Sequence, residues 1–221
     1  MKPAVFFDLD GTLVDTAPDF HVILGELLSA EGRPPLSPAA VRSQVSNGAR
    51  ALVTLAFGLA PEDSAFEGRL EQLLAAYEQR LAEDSGLFDG MEGVLSALEL
   101  HGMPWGVITN KPRRFTLPLL ERLGLGERVG PVICPDDVMH RKPDPEGLLL
   151  ACRQAGAEPG VSVYVGDHER DIAAGHNAGM ITVAARYGYI PPGEDPENWR
   201  ADHAIDTPGE LLPLIEQWSR D

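Results

Sequence analysis

The chain has 221 residues, 43% of them hydrophobic and 24% charged, which is enough to bury a sizeable core in one large domain or in a core carrying a smaller insert. Its 18 basic side chains face 34 acidic ones, a formal charge of −16. Such acidity argues against nucleic acid or an anionic membrane as partner. An anionic substrate has to be attracted locally, by a metal ion, a few basic side chains and backbone N–H groups.

In chain order, the first element is the apolar run Val5–Phe7, read as a buried strand that ends in the carboxylates Asp8 and Asp10, with Asp15 beyond. These charges interrupt the run, so no signal peptide is expected, and no stretch approaches the roughly 18 apolar residues of a spanning helix. Residues 15–87 then show helical periodicity without a convincing strand. Ser37 and Pro38 read as a helix start, and Phe66, Leu70, Leu73, Leu74, Tyr77 and Leu81 as one apolar helix face. From there apolar runs of strand length alternate with helix-period segments. The strands are Trp105–Ile108, Pro131–Cys134, Val161–Val165 and Ile181–Ala184. The helices are Met91–Leu100, Arg114–Leu123 and Pro145–Ala155, stopping at Gly102, Gly124 and Gly156. A last helix, LLPLIEQW, has Thr207 as N-cap and Glu210 as its capping-box partner. The pattern predicts an α/β fold: a doubly wound, Rossmann-like parallel sheet built from 1–14 and 88–221, with a helical insert over 15–87. Cys134 and Cys152 read as buried free thiols, which points to a reducing cytoplasm.

Ligands of such sheets bind beyond the carboxyl ends of the strands. Here those ends carry Asp8 and Asp10, then Thr109, Asn110 and Lys111, then Lys142 in RKPDP, then Gly166 and Asp167. Carboxylates gathered at one rim repel unless a cation joins them, and Mg2+ suits oxygen ligands shared with phosphate and water. Lys142 and the Thr109 hydroxyl suit phosphate oxygens, and together these parts make a phosphoryl-transfer site. Asp8 can take up a phosphoryl group. Asp10, two residues on and on the same side of an extended backbone, can act as acid and then base. The reading requires Asp8 and Asp167 to meet. Lys111, Arg113 and Arg114 form a basic cluster that reads equally as a substrate attractor or as a solvated helix start.

Four short stretches in this order carry a resemblance: DLDGT at 8–12, TN at 109–110, KPDP at 142–145, and Gly166-Asp167 with Asp171. They resemble the signatures of haloacid-dehalogenase-like (HAD) phosphatases, and the insert resembles the helical cap of such enzymes. The resemblance implies Asp8 as nucleophile and magnesium ligand. It implies Asp10 as acid/base that also binds the metal through its backbone carbonyl, and Asp167 as the remaining ligand. Thr109 and Lys142 would hold phosphate with Asn110 beside them, and Asp171 would support the site from outside. His168 stands where many relatives have a second aspartate, and the histidines, without metal-ligand spacing, read as structural or surface residues. LFDGM, WGVITNKP, VICPD and YGYI are similar to the phosphoglycolate phosphatase group, and closer still to phosphatases of N-acetylmuramic acid 6-phosphate. SNGAR at 46–50 resembles the specificity loop, which places Arg50 near the substrate. The implied partner is a small phosphorylated metabolite, and the chain a monomer or homodimer. Alternatives are a haloacid dehalogenase, a sugar-phosphate mutase and a receiver-like phosphoacceptor. The linkers near 14–17 and 84–90 are expected to hinge.

Overall fold

A computed structural model describes residues 2–218. The chain runs β1 (Val5–Phe7), β2 (Val14–Asp15), α1 (Ala17–Ser29), α2 (Pro38–Val45), α3 (Ala49–Phe57), α4 (Phe66–Arg80), β3 (Gly86–Leu87), α5 (Met91–Leu100), β4 (Trp105–Ile108), α6 (Arg113–Arg122), β5 (Val132–Ile133), α7 (Glu146–Ala155), β6 (Val163–Gly166), α8 (Glu169–Asn177), β7 (Ile181–Ala185), β8 (His203–Ile205) and α9 (Leu211–Trp218). Among the described residues, six strands form one sheet in the order β5-β4-β1-β6-β7-β8, with every pairing parallel. Strand order therefore reverses at β1, between β4 and β6, and in doubly wound sheets the ligand crevice lies outside the carboxyl ends at that switch point.

The central strands are apolar on both faces because helices cover both. Val5 and Phe7 join the larger core, whereas Phe6 packs on the opposite face with Ile108, Tyr164, Leu148 and Ala174. The larger cluster runs without a break from the sheet into the helices before β3, through Leu24, Val41, Leu52, Leu73 and Tyr77. These helices leave and rejoin the sheet through a two-residue antiparallel pair, Val14 opposite Leu87 and Asp15 opposite Gly86. Asp19, fully buried in α1, fastens the returning linker. It accepts from Ala82 N at 3.0 Å, Asp84 N at 2.8 Å and the Ser85 hydroxyl at 2.5 Å.

The expected elements are present, with corrections. The strand expected from Val161 begins at Val163, because Pro159–Val161 is a 3-10 turn. The edge strand β8 lacks a continuous apolar run, His203 and Ala204 being exposed. The pair β2 and β3 is too short to give any periodicity. Thr207 caps a 3-10 turn rather than the last helix. Its hydroxyl donates to Glu210 at 3.0 Å and accepts no backbone N–H. Ser37 caps α2 as expected, accepting from Ala40 N at 3.2 Å. Both cysteines are free and buried, and burial pushes both thiols up. No helix among the described residues is long and apolar enough to cross a membrane.

Candidate active site

The sheet's carboxyl rim brings Asp8, Asp167 and Asp171 together, with one oxygen of each within 4.8 Å of the others. Asp8 follows β1, Asp167 follows β6, and Asp171 lies in the first turn of α8, so the cluster sits at the switch point. All three are buried. Lys142 reaches them from the loop before α7. Its Nζ lies 2.8 Å from Asp8 Oδ1 and 2.7 Å from Asp171 Oδ1. It also donates to Ile108 O at 3.0 Å and contacts the Tyr164 hydroxyl at 2.8 Å. Burial works against its charge, but Asp171 and Asp8 outweigh it and hold its pKa above the usual lysine value. Asp8 is pushed up, chiefly by burial and against the pull of Lys142.

Asp167 is held from three directions. Thr12 donates to Oδ1 at 3.0 Å, while Tyr189 N and the Ser46 hydroxyl donate to Oδ2 at 2.9 and 3.1 Å. Burial first, then the charges of Asp8 and Asp171, raise its pKa to about 7. Two glycines make room for it. A Cβ on Gly11 (φ +87°) would stand 2.2 Å from Asp167 Oδ2, and one on Gly188 would stand 2.2 Å from Asp167 Cβ. The sequence reading gives Gly11 the role of turning the chain sharply, and the structure adds this close approach.

Asp8 and Asp10 do not lie on one extended strand, which corrects the same-side argument. The chain turns at Leu9, and Leu13 N and Val14 N donate back to Leu9 O at 3.1 and 2.9 Å. Asp10 faces the helical insert. Its Oδ1 accepts from the Thr16 hydroxyl at 2.5 Å and from Lys111 Nζ at 2.8 Å. Thr109 is buried at the end of β4, and its hydroxyl accepts from Lys111 N at 3.1 Å. Asn110 donates to Lys142 O at 3.2 Å, tying the second signature to the third.

Arg50 does not join this group. It is exposed at the start of α3, pairs with Glu67 at 2.9 Å and stacks over Phe66 at 4.6 Å. The residue of the SNGAR stretch that meets the acidic cluster is Ser46, whose carbonyl also accepts from Arg170. His168 accepts from Arg170 N at 3.2 Å and so caps α8. Burial, then the charge of Arg170, lowers its pKa to about 4, so the ring stays neutral. The basic cluster splits: the Lys111 side chain is buried, Arg113 pairs with Asp137, and Arg114 is exposed.

Sequence reasoning missed the aromatic clasp around Arg42. That guanidinium pairs with Asp15 at 2.7 Å, donates to Tyr187 O at 3.2 Å and lies 4.8 Å over the Tyr189 ring. The Tyr189 hydroxyl donates to Asp15 at 2.7 Å and accepts from Thr16 N and Ala17 N at 2.6 and 2.9 Å. The YGYI stretch, quoted as a resemblance without a role, was the available signal.

A model of the haloacid dehalogenase-like hydrolase family matches residues 5–185. The chain is 46% identical over 214 residues to an N-acetylmuramic acid 6-phosphate phosphatase of Pseudomonas aeruginosa, covering 97% of this chain and 95% of that protein. It is 41% identical over 208 residues to a phosphoglycolate phosphatase of Xanthomonas campestris, covering 94% of each. Among solved structures, one described as a predicted phosphoglycolate phosphatase from Haemophilus somnus superposes with a TM-score of 0.84 at 27% identity, covering 96% of this chain and 97% of that one. The signatures found at the strand ends, the sheet order that gathers them and these likenesses agree, and the chain belongs to the haloacid dehalogenase-like hydrolase family, among its phosphatases.

Proposed function

We propose that the protein is a Mg2+-dependent phosphomonoester hydrolase that works through an aspartyl phosphate on Asp8, with a substrate of the 2-phosphoglycolate or N-acetylmuramic acid 6-phosphate type. The observation that carries this reading is the buried triad Asp8, Asp167 and Asp171 beside Lys142.

The residues fit a divalent cation. Four carboxylates, Asp8, Asp10, Asp167 and Asp171, face two ammonium groups, Lys142 and Lys111, leaving an excess of two negative charges when all are ionised. Asp171 Oδ2 is buried with no hydrogen-bond partner. Asp8, Asp167 and the Asp10 backbone carbonyl would hold Mg2+, with Asp171 supporting from behind. The ion supplies neutralisation of the charge that builds on the phosphoryl oxygens.

The chain's own groups do the rest. Asp8 Oδ1 is buried against Lys142, which leaves Oδ2 as the attacking oxygen. The P–O bond to Asp8 forms as the ester bond breaks, and Asp10 gives its proton to the leaving oxygen. Asp10 Oδ1 is engaged by Thr16 and Lys111, so Oδ2 carries that proton. Asp10 then takes a proton from the water that attacks phosphorus and frees Asp8. The Thr109 hydroxyl, with Asn110 and Lys142, orients the phosphoryl oxygens. In this reading 15–87 form a cap over a core of 1–14 and 88–221, closing through Ser46 and Arg42. Arg50 reaches substrate only by leaving Glu67.

The test is phosphate release from a panel of phosphomonoesters that includes 2-phosphoglycolate and N-acetylmuramic acid 6-phosphate, with and without Mg2+. Metal-dependent, multiple-turnover release supports the reading. Isomerised phosphate in place of free phosphate, or a stable phosphoprotein without turnover, ends it.

A further inference from the structure

We propose that Lys111 and Tyr77 together receive a carboxylate on the substrate, so that the enzyme selects phosphomonoesters of carboxylic acids. This rests on the phosphatase reading above and names its substrate class.

Lys111 lies directly after Thr109 and Asn110 at the end of β4, beside Asp10. Its side chain is only 7% exposed, yet a single carboxylate oxygen pairs with it, Asp10 Oδ1 at 2.8 Å. The rest of its surroundings comes from the helical insert: the Tyr77 ring at 4.6 Å and the Phe20 ring at 5.5 Å. An ammonium has three N–H donors, and ring faces compensate them only in part. Tyr77 adds a further sign. Its hydroxyl is buried against the Lys111 ammonium and has no acceptor for its own proton. A buried hydroxyl left unpaired costs on the order of 1–3 kcal/mol, so the site is built for an acceptor. A carboxylate takes both bonds at once, one from the Lys111 ammonium and one from the Tyr77 hydroxyl.

The other cations at this junction are committed. Lys142 is taken up by Asp8, Asp171 and Ile108 O, and Arg42 by Asp15 and Tyr187 O. The substrates for which the similar phosphatases are named, phosphoglycolate and N-acetylmuramic acid 6-phosphate, share a carboxylate apart from the phosphate.

Matched pairs of esters test the idea, each differing chiefly by the acid: 2-phosphoglycolate against ethyl phosphate, and N-acetylmuramic acid 6-phosphate against N-acetylglucosamine 6-phosphate. In the wild-type enzyme at least one acid member should be preferred by about tenfold or more in kcat/KM. Lys111→Met should reduce that preference to within about threefold, and Tyr77→Phe should reduce it by a smaller factor. If Lys111→Met does not fold, Tyr77→Phe, which removes only a hydroxyl that has no acceptor, carries the decision. No preference in the wild type overturns the proposal. So does a variant that slows both members of a pair equally, because Lys111 would then act only through Asp10. No phosphate release from any ester would instead sink the phosphatase reading itself.

Discussion

Lys142 shows how a single residue makes the rim tenable. Three carboxylates crowd one buried space, where burial pushes Asp8 and Asp167 toward their neutral forms, and one buried ammonium pairs with both Asp8 and Asp171. Replacing Asp8 with Asn removes one source of that crowding. Asp8→Asn should abolish phosphate release while metal-free protein melts no lower than wild type by calorimetry. Residual turnover would remove Asp8 from the chemistry, and a large loss of stability would show that its pairing with Lys142 outweighs the crowding. Asp167, at about 7, gives a second prediction. Its folded pKa lies above the ordinary value of 3.8, so its proton stabilises the fold. That contribution is fully present below about 4 and is lost as pH rises through about 7. Metal-free protein should therefore lose stability between pH 5 and pH 8 through this group. Mg2+ affinity, read by calorimetric titration, should climb over the same span, because ligation requires the anion. Affinity flat from pH 5 to 8 would contradict this.

At the scale of elements, the linkers are fastened rather than loose. β2 and β3 pair with each other, and Asp19 of α1 receives three donors from residues 82–85. If these linkers hinge as the sequence suggests, their pairing makes them move as one. Asp19→Ala leaves two backbone N–H groups and a hydroxyl without an acceptor, at a cost of about 1–3 kcal/mol. Urea denaturation should read that loss, and amide exchange at 82–85 should quicken. Unchanged protection there would show that the antiparallel pair alone sets the linker.

Across the whole molecule, α2 and the residue that caps its C-terminus supply two groups four residues apart that grip the sheet's rim, Arg42 on the Asp15–Tyr189 clasp and Ser46 on Asp167. Insert and rim therefore share Asp167, and the position of the insert is felt by a residue of the acidic cluster. Arg42→Ala should free α2 and raise amide exchange in α2 and α3. It should also raise KM several-fold, the loss belonging to closure rather than to the chemical step. An unchanged KM with faster exchange would separate the clasp from substrate binding.

The sequence by itself determined the strand ends and what they carry. Fully buried parallel strands must be continuous apolar runs, and a carboxylate directly after such a run has to be placed deliberately. Asp8, Thr109, Lys142 and Asp167 were therefore legible as one set, and Asp171 joined them only through the family resemblance of its motif. Tertiary structure alone decided which partners those groups take. Ser46, Arg42, Tyr77 and Tyr189 touch the site through contacts spanning up to 174 residues of chain, and no periodicity encodes them. For the same reason Arg50, expected near the substrate from the likeness of SNGAR to a specificity loop, turned outward to Glu67. A neighbour in sequence shares a loop, but the direction of a side chain is set by what the fold packs against it.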